Sequence, residues 1–510
     1  MGAGIAQVAA VAGQRVLVVD AAGGAAERAV VGIRERVKAQ VAKGRLNVDP
    51  DALDLVAADS AAGLAAFADC GIVIEAIVED LAVKRSLFAE LEDVVGPDCV
   101  LASNTSSLSP TALAAGLAHP ERLVGLHFFN PVPAMKLVEV ISGLATAPEV
   151  ADAAADLATR WGKTVVLSTA TPGFIVNRIA RPFYAEAWRV YEEHASVPHA
   201  IDSVLTGAAG FRMGPFALMD LIGHDVNEAV TRSVWAAFGH DPRFAPALAQ
   251  RALVEAGWLG RKSGRGVYGY GTAAVAAPGT ASASATVVTP ATAVAPPAAV
   301  IEHAGGSSPL RPLLERAGVS LVAGDRDDTD LDTAPGEPGG VIELPSGALL
   351  VQCDGTTATS LSAAFGRPVI AVDRVLDPAK ATAIAVAPSD GCPPAALAEA
   401  VGLLSAADLD VYVIDDTPGM IVTRTVAMLA NLAADAVACR VASEADIDTA
   451  MRLGVNYPIG PLAWARQWGM GAVLRILDGM ENWYRDGHYR ASPLLRRAAL
   501  SERTSSILNQ

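Results

Sequence analysis

Thr171-Pro-Gly-Phe-Ile-Val-Asn-Arg178 returns later in the same chain as Thr417-Pro-Gly-Met-Ile-Val-Thr-Arg424. The register between the copies is constant beyond the motif. Ile201-Asp202 matches Ile447-Asp448, Gly214-Pro215 matches Gly460-Pro461, and Gly223 matches Gly469. Two unrelated helical segments could share one turn, but a fixed register from Thr171 to Gly223 implies a duplicated unit. The segment after each copy has the apolar spacing of long amphipathic helices, so the duplicated unit is expected to be all-helical.

The chain ahead of the first copy is of another kind. Ala3 to Ala12 is a small-residue helix, Gln14 to Asp20 (QRVLVVD) a short buried strand, and Asp69–Ala76, Cys99–Ser103 and Leu123–Phe128 further strands. Continuous apolar runs separated by helices predict a parallel sheet covered on both faces. Residues 272–300, almost entirely Ala, Thr, Val, Pro, Ser and Gly, are expected to be a linker. Strand and helix signals resume at Gly347–Asp354, Pro368–Asp373 and Val411–Asp415. The expected organisation is therefore an α/β domain at 1–170, a helical domain at 171–271, the linker, a reduced α/β segment at 301–415 and a second helical copy at 416–510.

A chain of 510 residues needs more than one core, roughly two to four domains. Its net charge of −16 argues against a nucleic-acid binder, which wants a basic face. Cysteines 70, 99, 353, 392 and 439 have no CxxC spacing, so neither a disulfide framework nor a metal site is expected, and a reducing cytoplasm fits. No apolar run has the length of a membrane span.

Dinucleotide binding normally uses a strand, a GxGxxG turn, a helix, and a second strand ending in an acid. Here Met1-Gly2-Ala3-Gly4 opens directly into the helix, and the next strand ends in Asp20. Gly2 stands in the place of the third motif glycine, while the first strand and first two glycines are absent. Helix-then-strand-then-Asp is also a common structural pattern, so alone it decides little. If the site is real, Asp20 favours NAD over NADP, because a 2′-phosphate would meet a like charge.

The chemistry is expected from Ala102-Ser-Asn-Thr-Ser-Ser-Leu108, Gly125-Leu-His-Phe-Phe-Asn-Pro-Val-Pro133 and Met135-Lys-Leu-Val-Glu-Val140. Oxidising an alcohol by hydride transfer requires a base for the hydroxyl proton, and histidine titrates in the right range. A carboxylate on the other ring nitrogen would fix the tautomer and stabilise the imidazolium. His127 and Glu139 fit, because the Pro-punctuated turn between them could bring the chain back. Glu139 also stands in an apolar strand, where an acid is costly unless paired. The alternatives are a core histidine among phenylalanines and an edge-strand acid. The other histidines, 119, 194, 199, 224, 240, 303 and 488, lack such a setting. The Ser/Thr run at 104–107 reads either as a turn or helix cap, or as a set of donors at a ligand-binding strand end.

At these residues the sequence resembles the 3-hydroxyacyl-CoA dehydrogenase family. The motifs SNTSSL, GLHFFNPVPxMKLVEV, TPGFIVNR, the Gly214-Pro-Phe216 segment and Gly260-Arg-Lys-Ser-Gly-Arg-Gly-Val-Tyr268 match its pattern in order. The resemblance implies a Rossmann-type NAD-binding domain, NAD as cofactor, an acyl-CoA substrate, and oxidation of L-3-hydroxyacyl-CoA to 3-ketoacyl-CoA. It implies His127 as base, Glu139 as its partner, and Ser106 and Asn177 as holders of the C3 oxygen. Met1, Gly2, Asp20, Ile77, Glu79, Lys84, Ser106, Asn130 and Lys262 fall at cofactor positions, and Lys43 at a position for CoA phosphates. The bland reading of Glu79 and Lys84 is a strand-to-helix turn with an exposed lysine. The duplicated arrangement is similar to a longer bacterial subgroup that acts on 3-hydroxyadipyl-CoA and 3-hydroxybutyryl-CoA in phenylacetate breakdown. Helical domains in such proteins would also serve a homodimer or homo-oligomer.

Two departures from the pattern carry expectations. The shortened opening is expected to weaken NAD binding and stability, as in a chain lacking its first strand. Thr423 replaces Asn177 in the second copy, and no HFFNP precedes it. The second half is therefore expected to be non-catalytic and to pack on the first helical domain. Rival readings are a superfamily relative that uses a lysine base and a scaffold with impaired cofactor binding.

Overall fold

The computed structural model describes residues 1–51, 53–58, 63–270, 295–303, 308–324 and 340–508. The chain divides into two compact units that do not follow chain order. One is Met1–Arg178 with Cys439–Val455, the other Ile179–Ala438 with Asn456–Gln510.

The first unit runs α1 (Gly2–Val11), β1 (Val16–Val19), α2 (Ala25–Ala42), β2 (Leu55–Ala58), β3 (Ile72–Glu75), α3 (Leu81–Glu92), β4 (Val100–Ser103), α4 (Pro110–Ala114), β5 (Leu123–Phe128), β6 (Leu137–Ser142), α5 (Pro148–Arg160) and β7 (Thr164–Thr169). β1 and β2 pair in parallel as a separate two-stranded sheet, and β3-β4-β5-β6-β7 form a second sheet in that order. The expectation of an all-parallel sheet needs correcting at one pairing, which reverses two strands. β3, β4 and β5 are parallel, but β6 turns back antiparallel on β5, and β7 runs parallel to β6. The connection at 129–136 is too short for the crossover that a parallel pair would need. All six residues of β5 are buried, and its side chains feed two cores. Val124, Leu126 and Phe128 pack with α1 and α5, while Leu123 packs with Phe88 and Leu91 of α3 and Leu113 of α4.

The helical part continues as α6 (Val176–Ile179), α7 (Arg181–Glu192), α8 (Pro198–Gly207), α9 (Pro215–Ile222), α10 (His224–Ala237) and α11 (Leu248–Glu255). Then come β8 (Ala299–Glu302), α12 (Arg311–Arg316), β9 (Ser320–Ala323), β10 (Ile342–Glu343), β11 (Leu349–Gln352), α13 (Ala358–Phe365), β12 (Val369–Val372), β13 (Ala383–Pro388), α14 (Pro394–Ser405) and β14 (Asp410–Val413). The chain closes with α15 (Val422–Ala438), α16 (Glu444–Gly454), α17 (Pro461–Trp468), α18 (Met470–Tyr484) and α19 (Pro493–Leu508). The expected linker lies mostly outside the described residues, and its last two positions already belong to β8.

The repeat extends into the sheets. β11 to β14 pair parallel, antiparallel, parallel, as β4 to β7 do. The helical copies are partly exchanged between the two sheets. α16 of the second copy belongs to the first unit, where the Thr169 amide donates to Val441 O at 2.9 Å. α8 of the first copy lies on β13, so closely that a Cβ on Gly207 would fall 2.7 Å from Ala383 Cβ. The two copies also pack on each other, as expected. Leu432 of α15 is buried with Val234 and Phe244. Glu186 of α7, fully buried, receives His488 Nε2 at 2.7 Å and the Tyr489 hydroxyl at 2.8 Å. Among the described residues no helix is long and apolar enough to cross a membrane.

Candidate active site

The antiparallel turn-back creates the site. In the β5–β6 ladder His127 and Glu139 are direct partners, so their side chains leave the same face. His127 Nδ1 meets Glu139 Oε2 at 2.6 Å, with both residues buried. The other oxygen, Oε1, accepts the amides of Ile175 and Val176 at 3.1 and 3.0 Å. One carboxylate therefore fixes the imidazole and caps the start of the TPGFIVNR helix, which is how a fully buried acid is tolerated there.

The turn ahead of that helix adopts left-handed backbone. Gly173 has φ +74, and a Cβ there would lie 2.8 Å from the Arg178 amide. Phe174 also has positive φ, +48, a backbone state that costs a bulky residue on the order of 1–3 kcal/mol. The gain is position, for the Phe174 ring lies 5.9 Å from His127, and Phe129 lies 4.6 Å from it on another side.

Carboxylate pairing does not single out His127. His224 meets Asp220, His303 meets Glu343 and His488 meets Glu186, each at 2.7 Å, so the expectation that the other histidines lack such a setting is corrected. The second ring nitrogen separates them. In His488 it faces Pro242 O, in His224 it faces Gln250, and in His303 it is buried without a partner. Among these buried pairs of the described residues, His127 alone leaves its Nε2 unbonded and not sealed from solvent.

The Ser/Thr run is organised by Glu79. Its Oε1 accepts from Thr105 Oγ1 at 2.7 Å, the Ser106 amide at 2.9 Å, the Ser107 amide at 3.0 Å and Ser107 Oγ at 2.9 Å. These donors are thus spent on Glu79 rather than left open to a ligand. Lys84 is not the exposed lysine of the bland reading. It is 1% exposed and sits between Glu75 at 3.2 Å and Glu79 at 2.7 Å. Burial raises the Glu79 carboxyl, but Lys84 and the hydroxyls of Thr105 and Ser107 outweigh it and hold it at about 2. Asn177 Nδ2 reaches Ser106 O at 3.4 Å, bringing those two positions together.

Two supporting residues, Glu75 and Lys163, escaped the sequence reading, and Asn104 of the 104–107 run serves as an acceptor. Glu75 binds Ser103 Oγ at 2.6 Å and the Ile77 amide at 2.7 Å. Asn104 Oδ1 accepts the Phe128 amide at 2.9 Å, tying the end of β4 to the end of β5. Lys163 donates to Val132 O at 2.6 Å and Met135 O at 2.8 Å, holding the loop after His127, and burial pushes its ammonium down. The only sequence signal was an acid at a strand end and a lysine in a turn.

The nucleotide end fits NAD in its parts. α1 has no side-chain cap, so its first amides are open, and Gly2 stands beside Ala76 at the end of β3. It is Gly4 rather than Gly2 that permits close packing, since a Cβ there would lie 3.0 Å from Val132 Cβ. Asp20, exposed at the tip of β1, accepts only the Ala22 amide among its described contacts. Met1, Ile77 and Asn130 are exposed, as a ligand surface requires. Lys43 is exposed just past α2. Lys262 belongs to the second unit, where it pairs with Asp225 at 2.5 Å.

Residues 1–171 match the family profile of the 3-hydroxyacyl-CoA dehydrogenase NAD-binding domain. Residues 173–270 and again 419–506 match the C-terminal domain of the same family, and 350–418 match the 3-hydroxybutyryl-CoA dehydrogenase reduced Rossmann-fold domain. The chain is 43% identical to the 3-hydroxyadipyl-CoA dehydrogenase of Escherichia coli K12, over 98% of this chain and 96% of that protein. A probable 3-hydroxybutyryl-CoA dehydrogenase of Bacillus subtilis is 41% identical over 53% of this chain and 94% of its own. The crystal structure of an Escherichia coli 3-hydroxybutyryl-CoA dehydrogenase superposes with a TM-score of 0.83 at 41% identity, covering 99% of this chain and 97% of that one.

Proposed function

The chain belongs to the 3-hydroxyacyl-CoA dehydrogenase family, NAD-dependent oxidoreductases, and from that premise we propose how its own residues divide the reaction. His127 Nε2 takes the proton of the substrate's C3 hydroxyl. Bound NAD would supply the acceptor for the hydride that leaves C3. In the reverse direction the same nitrogen returns the proton. Glu139 holds the tautomer through Nδ1 and stabilises the imidazolium, while its second oxygen keeps the Asn177 helix in place. Ser106 and Asn177 hold the C3 oxygen.

For the cofactor, Asp20 would take the ribose hydroxyls and the open amides of α1 the pyrophosphate, with Met1, Gly2, Ile77 and Asn130 beside them. Glu79 and Lys84 act by shaping the Ser106 loop, which makes them positioning residues. Lys43 would face the CoA phosphates.

The observation that carries this reading is the buried His127–Glu139 contact at 2.6 Å with Nε2 left unbonded. For the acyl group, we favour a short 3-hydroxyacyl chain of the hydroxybutyryl or hydroxyadipyl type, on the strength of the full-length likeness to proteins bearing both names. We place the enzyme in the cytoplasm and read the second half as standing in for a partner subunit's helical domain. A panel of acetoacetyl-CoA, longer 3-ketoacyl-CoAs and 3-oxoadipyl-CoA, followed by NADH absorbance, tests the activity and its chain length together. Absence of turnover with every member would overturn the reading.

A further inference from the structure

The second half keeps the place of an active site but not its chemistry. The register that carries Thr171 onto Thr417 carries His127 onto Asp373 and Glu139 onto Ala385, and the pairing agrees, since the Asp373 amide donates to Ala385 O at 2.9 Å. Asp373 receives the amides of Ile421, Val422 and Thr423 at 3.0, 2.7 and 3.0 Å and Thr423 Oγ1 at 2.7 Å. The first two of those amides are the repeat counterparts of the ones Glu139 holds. A base has gone, and what remains is a structural cap.

Beside that cap, a cleft of about 370 Å³ opens past the carboxyl ends of β11 and β12. That edge is where ligands enter folds of this kind, and the volume suits a small molecule. Its lining includes Gln352, Asp354, Arg374, Gln467, Trp468 and Arg475. Arg374 donates through Nε to Cys353 O at 3.1 Å and lies 4.9 Å over the Trp468 ring. Neither Arg374 nor Arg475 has a carboxylate within ion-pair distance among the described residues. The one acid in the lining, Asp354, turns its Oδ1 to the amide and hydroxyl of its own neighbour Thr356. Gln352 contributes a buried Oε1 with no hydrogen-bond partner.

We propose that this cleft is a second ligand site, taking a small oxyanion. The planar forks of Arg374 and Arg475 suit a carboxylate or phosphate. With Asp373 and Ala385 in place of the base pair, the site binds without turnover.

Equilibrium titration of the full chain tests this, using inorganic phosphate, 3′-phosphoadenosine 5′-phosphate, succinate and 3-hydroxybutyrate as separate probes. Saturable binding of a phosphate or a carboxylate probe is expected, and which arm binds identifies the source of the anion. Arg475→Gln, at an exposed position, should raise that dissociation constant at least ten-fold and leave NADH formation at the first site unchanged. Arg374→Gln should do the same; if it fails to fold, Arg475→Gln alone decides. No saturable binding of any probe, or binding unchanged in Arg475→Gln, overturns the proposal while leaving the dehydrogenase reading untouched.

Discussion

Asp373 stands in the second half where His127 stands in the first, and both sit against the same turn of their own copy. In the first half two side chains share the task, Glu139 capping the helix and His127 facing outward. In the second, one shorter acid takes the helix amides directly, with no base beyond it. Left-handed turn geometry is kept in both, with φ +48 at Phe174 and +46 at Met420.

Replacing His127 by Gln should lower the catalytic constant by about 10²–10⁴-fold, the range for losing a general base, with little change in KM. NADH absorbance with acetoacetyl-CoA reads it. An unmodified rate would sink the assignment.

Glu139 has two separable duties. Glu139→Gln retains an oxygen for the Ile175 and Val176 amides and should fold well while losing activity. Glu139→Ala orphans both amides and should also lower stability by about 2–5 kcal/mol. If the two variants melt at the same temperature, the amide grip contributes nothing.

Asp373→Ala strands the same class of amides in the second half. A loss of about 3–5 kcal/mol is expected, with the turnover of the remaining folded enzyme unaffected. Lowered turnover in fully folded protein would show that the second half acts on the chemistry.

Glu79 governs the acid side of the site. Its folded carboxyl is held at about 2, below the ordinary glutamate value of about 4.3. The stabilising contribution is thus complete above about pH 4.3 and is lost as pH falls toward about 2. Acid unfolding of Glu79→Gln should be shallower over that window than that of the parent. Parallel acid titrations of the two would refute this.

Residues 1–271 made without the rest should aggregate or dimerise, because Glu186, Val234 and Phe244 would lose the second-copy residues that bury them. Light scattering decides, and an active, well-behaved monomer would contradict it.

The positions of the strands β1, β3, β4 and β5 and of the helices after each TPG motif were legible because their signals are local: apolar runs, β-branched residues and a repeated turn. The weaker strands β2, β7, β8, β9, β10 and β13 were not read, because short Ala-rich or polar-flanked segments carry no distinct period. The His127–Glu139 pair was readable as residue types with a turn between them. The pairing of His303 with Glu343 and of His488 with Glu186 was not, because partners 40 and 302 positions away leave no mark on the neighbours of either residue.

The duplication, the alternation of strands and helices, and the residue types of the candidate site are all properties of neighbours along one chain, and reading the residues in order was enough to find them. The folded arrangement was needed to learn that β6 runs antiparallel, that Glu79 takes the hydroxyls of Thr105 and Ser107, that Lys84 is buried between two acids, and that Asp373 takes the place of His127. Each of those depends on which backbone segments lie side by side, and hydrogen bonds across such pairings are set by the folded geometry rather than by spacing along the chain.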